Sequence, residues 1–128
     1  MSIKEMIAEH PDVAGHDNEP LTEVVKHAMY AAAITASCAD ACLAEDNAAE
    51  RTQCIRTCLD ASTAAEALSY IAARRTGSNE AVITAAMAFC VEALKACKDS
   101  CSMHDDAHCK RCATMCSELI ADIGKVKL

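Results

Sequence analysis

The chain has 128 residues, a formal net charge of −7, and 52% hydrophobic but only 2% aromatic residues. One domain with a real core fits that length, and three glycines and two prolines suit closely packed Ala-rich helices rather than a turn-rich β fold. The acidic balance, with no basic run or aromatic platform, argues against nucleic acid as a partner, and no apolar run is long enough to span a bilayer.

Residues 2–9 read as a short helix: Ser2 and Glu5 have capping-box spacing, Ile3, Met6 and Ile7 share a face, and Pro11 ends it. A polar connector follows over 10–19, so residues 1–19 are set apart from a bundle at 20–128. A long helix runs from Pro20 or Leu21 to Glu45, with the stripe Val24, Ala28, Ala31, Ile34 or Thr35, Cys38 and Cys42. Asn47 and Glu50 repeat the capping-box spacing and open a second helix with the stripe Cys54, Cys58, Ala61, Ala65, Leu68 and Ala72. "RRTGSNE" is the clearest break, with Gly77 as helix stop and Ser78 or Asn79 as the next cap. The third helix carries Ile83, Met87, Cys90, Leu94, Cys97 and Cys101 at 3–4 spacing. "SMHDDAH" forms the last turn, with Asp105 or Asp106 as cap. The fourth helix then carries Cys109, Cys112, Cys116, Leu119 or Ile120, and Ile123. The predicted fold is all-α: an antiparallel up-down-up-down four-helix bundle with a short N-terminal helix.

That topology decides where the ten cysteines go. In an up-down bundle the first and third connections lie at the same end. Cys38 and Cys42 close the first helix, Cys54 and Cys58 open the second, Cys97 and Cys101 close the third, and Cys109, Cys112 and Cys116 open the fourth. At the helical rise they fall roughly 6–17 Å below the turns, with Cys90 deepest at about 22 Å. The other half of each stripe is Val, Ala, Leu, Met and Ile, which gives a thiol-lined half and an ordinary apolar half.

The N-terminus "MSIKEMIAEHPDVAGHDNEP" lacks the features of a secretory signal, so the expected location is the cytoplasm, where thiols stay reduced. Ten cysteines there point to metal or redox chemistry rather than a disulfide framework. Pairs three or four residues apart on one helix face are poorly aimed for a disulfide but well placed for a soft ion between two thiolates, and Cu(I) is the cation that such ligands select. Bridging thiolates between helices extend this to several ions. Met103, His104 and His108, on the turn over the thiol end, are candidate port ligands that accept an ion and pass it inward. His10, His16 and His27 lie away from that mouth and are not assigned to it.

Alternatives remain open at this level. Zinc on four cysteines is one. A thiol redox or sensor protein is another, although only Lys98, Lys110 and Arg111 stand out as groups able to lower a thiol pKa. Burial of cysteine as a small hydrophobe is the third, and Cys90, set between Met87 and Leu94, fits it best. A haem-attachment motif, a Glu-x-x-His di-iron pattern, a phosphate-binding glycine loop and a Ser/His/Asp set are all missing from the sequence, and no enzyme activity is expected.

"CADAC" (38–42), "CIRTC" (54–58), "CKDSC" (97–101) and "CATMC" (112–116) place a Cys-x-x-x-Cys pair on each of the four long helices. The chain from about residue 20 to 125 thereby resembles the cysteine-rich four-helix-bundle copper storage proteins of bacteria. The resemblance implies Cu(I) storage on core thiolates, a homo-oligomer, often a tetramer, and His and Met residues near the open end. In fuller members the cysteines line most of the tube, whereas here the half near Gly77 is apolar. Two unshared thiolates per ion give a capacity of about five Cu(I), and bridging raises it. Buffering or detoxification therefore stands beside storage proper.

Overall fold

The computed structural model of the chain describes residues 1–128 and contains helices and turns only. Helix α1 (Ile3–Ala8) is capped by Ser2, whose Oγ accepts a hydrogen bond from the Glu5 amide at 3.1 Å. The connector that follows is less polar in its packing than in its composition. Val13 is buried, and the chain reverses through Ala14 and Gly15, both at positive φ, so that the Gly15 amide reaches the Ala8 carbonyl at 2.9 Å. Glycine adopts this conformation without steric cost.

Helix α2 (Glu19–Leu43) begins one or two residues earlier than Pro20 or Leu21, because Asn18 is its cap. The Asn18 Oδ1 accepts from the Leu21 amide at 3.2 Å, and Pro20 sits in the first turn, where its missing N–H costs nothing. The Asn18 Nδ2 also donates to the Lys127 carbonyl at 2.8 Å, tying the start of α2 to the C-terminal residues. An Asn18→Ala variant is therefore expected to lose about 1 kcal/mol or somewhat more, read as a lower urea midpoint at unchanged m-value.

A 3-10 turn (Ala48–Arg51) precedes α3 (Thr52–Ala73). The Asn47–Glu50 capping box does not form, because the Asn47 Oδ1 is occupied by the Arg51 Nε at 2.7 Å. The tight turn delays the α-helix by four residues, and Arg51 at its end is buried. Helix α3 ends at Ala73 with Arg74 as its C-cap, and Gly77 lies in the following turn at φ +80°. Asn79 precedes α4 (Glu80–Cys101). Its Oδ1 accepts from the Thr76 amide and its Nδ2 donates to the Arg74 carbonyl, so it braces the turn rather than capping the helix. Asp106 precedes α5 (Ala107–Gly124), likewise without a side-chain cap bond.

The long helices form a ring in which α2 packs on α3, α3 on α4, α4 on α5 and α5 back on α2. The expected stripes face inward: Val24, Ala28, Ala31, Thr35, Cys38 and Cys42 of α2 and all six expected residues of α3 are buried, and only Met87 of the α4 stripe is half-buried. Alanines at 28, 31, 39, 61, 64 and 65 let α2 and α3 approach closely, near enough for the Ser62 hydroxyl of α3 to donate to the Ala32 carbonyl of α2 at 2.7 Å. The polar atoms inside are accounted for. Thr35 returns its hydroxyl to the Ala31 carbonyl, and no buried side-chain nitrogen or oxygen lacks a partner. The end containing Leu21, Val24, Leu68, Ala72, Ile83 and Ile123 is a conventional apolar core. No helix is long and apolar enough to cross a membrane.

Candidate metal centre

All ten cysteines are buried and none is in a disulfide. Each arrives from the inward stripe of its helix, and the antiparallel ring brings the end of α2 and α4 beside the start of α3 and α5. Cys38, Cys58, Cys101 and Cys112, one from each long helix, have their sulfurs within 4.8 Å of one another. Cys97, Cys112 and Cys116 form a second group on the same limit, and Cys38, Cys42, Cys109 and His108 a third.

Most close sulfur contacts run between helices. Cys101 Sγ lies 3.6 Å from both Cys54 and Cys58, Cys97 lies 3.5 Å from Cys58 and 3.7 Å from Cys112, and Cys42 lies 4.0 Å from Cys109. The one same-helix contact of this kind is Cys97–Cys101, at 3.9 Å. The same-face pairs of the sequence thus act as rungs that face other helices, and Cys101 stands at their centre. Cys90 is fully buried and makes no sulfur contact of this length.

At the mouth, His108 faces inward with Nδ1 3.4 Å from Cys38 Sγ and 3.6 Å from Cys109 Sγ, while Nε2 lies 3.0 Å from a Glu45 oxygen. A carboxylate on one ring nitrogen orients the other toward a soft ion. A groove of about 270 Å³ opens here, lined by residues including Cys38, His108 and Arg111. Met103 is 82% exposed on the turn above, and His104 belongs to none of the ligand groups. Sequence reasoning passed over Arg51. It is 6% exposed, ion-paired to Asp106, and directs an N–H to Cys109 Sγ at 3.7 Å. It also passed over Glu45, the partner of His108.

Crowded thiols divide into sulfurs that favour the thiolate and sulfurs held as S–H donors, because neighbouring like charges resist each other. Cys101 is drawn far below the ordinary thiol range by hydrogen bonds with Cys112, Cys38, Cys58 and Cys97. Cys112 and Cys58 are pushed up, first of all by the same contact with Cys101. At Cys38 the contact with Cys101 works upward, but hydrogen bonds with Cys112, Cys58 and His108 outweigh it and the pKa falls to about 6. Cys116 falls to about 5 beside Cys112 and Cys97. Burial pushes Cys90 up to about 12, and burial with the neighbouring Cys101 charge does the same for Cys54. The His108 pKa rises through its hydrogen bond with Cys38 and then with Glu45, against burial. Thiolates thus already favoured within the cluster suit capture of a soft cation.

Comparison with curated proteins gives no match. The family model described as Csp, copper storage protein, matches residues 17–127. Among solved structures, the copper storage protein Ccsp from Streptomyces lividans loaded with 10 copper equivalents is similar at 29% identity and a TM-score of 0.90, over 97% of this chain and 96% of that one. A cytosolic copper storage protein from Streptomyces lividans, studied for copper loading with five coppers, is similar at 31% identity and a TM-score of 0.82, over 87% of this chain and 94% of that one. The fold agrees with these structures over most of the chain, and the chain belongs to the copper storage protein family.

Proposed function

We propose that this chain binds several Cu(I) ions on the thiolates at one end of its bundle and acts as a copper store or buffer in the cytosol. The carrying observation is the layer of Cys38, Cys58, Cys101 and Cys112, in which every long helix contributes one sulfur within 4.8 Å of the others. Softness selects Cu(I) for such a set, and membership of the copper storage family favours copper over the zinc and redox alternatives. The relatives from Streptomyces lividans carry copper in multiple equivalents, and one of them is cytosolic.

The proposed ligands are the ten cysteines, with His108 as the port through which an ion reaches Cys38 and Cys109. His104 and Met103 lie on the turn outside it and serve at most as outer contacts. No catalytic step is assigned, since the chemistry of the cluster is ligand exchange. We further propose that copies associate, as the tetramers implied by the resemblance do. Met29, Tyr30, Tyr70 and Phe89 are each at least half exposed, which supports such contacts, and light scattering reads the mass.

Anaerobic titration of the reduced protein with Cu(I), in competition with a strong Cu(I) chelator, tests the binding. Saturation should come at about five ions per chain or more, with free-thiol reactivity lost in step. Saturation at one zinc ion, with no Cu(I) retained against the chelator, would remove the proposal.

A further inference from the structure

Arg51 has no place in a simple account of thiolate binding. A guanidinium is an expensive group to bury and has no affinity for a cation. Yet it is 6% exposed at the mouth of a metal centre, with Nε on the Asn47 amide oxygen and NH1 shared between an Asp106 oxygen and Cys109 Sγ at 3.7 Å. Cys109 Sγ in turn lies 3.8 Å from that same Asp106 oxygen and 4.0 Å from Cys42 Sγ. Cation, carboxylate and outermost thiol pair therefore form one compact group.

Charge balance explains the arrangement, given the Cu(I)-binding reading above. With the pair as thiols, Arg51 and Asp106 neutralise each other. When an ion enters, two S–H groups lose their protons to solvent, two Cu–S bonds form, and the copper–bisthiolate unit carries one net negative charge with no change of oxidation state. A buried anion needs a counter-charge. We infer that Arg51 is the counter-charge of the outermost copper position at Cys42 and Cys109, and that Asp106 competes with the bound copper–thiolate unit for the same guanidinium. The two residues thus set in opposite directions how long the outermost ion is held. Arg51 lowers the free energy of the loaded state, and Asp106 holds the guanidinium back from it.

A residue that merely clasps the two hairpin tips would behave differently, because breaking the Arg51–Asp106 pair from either side would loosen the mouth equally. The test uses the full chain loaded anaerobically with Cu(I), mixed with excess bathocuproine disulfonate, and followed as the rate of the fastest phase of copper transfer. Ions from the inner layers, released later in the same trace, serve as the internal reference. Arg51→Met should speed the fast phase about tenfold, since a charge-assisted contact is worth about that factor. Arg51→Lys should recover much of the loss, and Asp106→Asn should slow the phase about threefold, reflecting a neutral rather than charged competitor. Faster release in both Arg51→Met and Asp106→Asn, or an unchanged rate in either, overturns the inference. Should Arg51→Met fail to fold, the sign of the Asp106→Asn effect decides alone. Failure of the wild-type chain to load copper would instead remove the binding reading, and this inference with it.

Discussion

A Cys101→Ala variant, titrated anaerobically with Cu(I), should saturate roughly two ions below the wild-type chain, whereas Cys90→Ala should lose less than one. The difference follows from position. Cys101 Sγ touches Cys54, Cys58 and Cys97 within 3.9 Å and belongs to the layer to which all four long helices contribute. Removing it strips Cys54 of its close sulfur partner, takes one such contact each from Cys58 and Cys97, and breaks the four-helix layer. Cys90 is equally buried but approaches no other sulfur this closely. The empty Cys101→Ala protein should lose only about 1 kcal/mol of packing, because one small apolar group replaces another. Equal copper losses in the two variants would show that Cys101 is not the shared ligand.

The second large effect lies at the other end. Leu68 is fully buried among the apolar residues of the thiol-free half. Leu68→Ala should cost about 2–5 kcal/mol, a large share of the total for a domain of this size. It should lower the Tm of the copper-free protein by about 8–20 °C while leaving the number of Cu(I) ions bound unchanged. The fall should shrink when the protein is loaded, since a ligand that binds the folded state alone stabilises it by mass action. Differential scanning calorimetry with and without copper measures both effects. A lowered copper number would mean that the two halves of the core are not independent.

The depth at which the molecule could be read from its sequence differs by feature. Helix faces were plain, because a 3–4 spacing allows only one inward stripe, and every residue of the expected α3 stripe is buried, with Thr57, Ala64 and Ser69 beside it. The gathering of thiols at one end followed from short connections alone. Partnership across the bundle was not legible. Periodicity names the face of a helix but neither its rotation nor its height against its neighbours, so nothing in "CKDSC" says that Cys101 meets Cys54 and Cys58. Arg51 was hidden by its charge: it stands three residues before Cys54 and seven before Cys58, on the inward face, but a lone guanidinium there reads as solvated until its bonds to Asn47 and Asp106 are seen. The turn ligands separated for a different reason. His108 stands four residues before Cys112 inside α5, a spacing that puts both on one face, and that signal was available. Met103 and His104 precede the helix, where no periodicity fixes direction.

The confinement of thiols to one end of the bundle has a consequence for how the contents turn over. Cys38 and Cys54 keep a trace of solvent exposure, Cys90 has none, and beyond it the bundle is filled by Leu, Ile and Val side chains with no further sulfur. A vessel with one mouth and a sealed floor fills and empties through the same opening. The ion that arrives last is then the first to leave, and one lodged near the floor waits until those above it have gone. Newly acquired copper would stay close at hand for exchange, while the earliest intake would become a reserve drawn upon only in prolonged scarcity. Pulse loading with one copper isotope and then another, followed by partial withdrawal, would reveal that order directly.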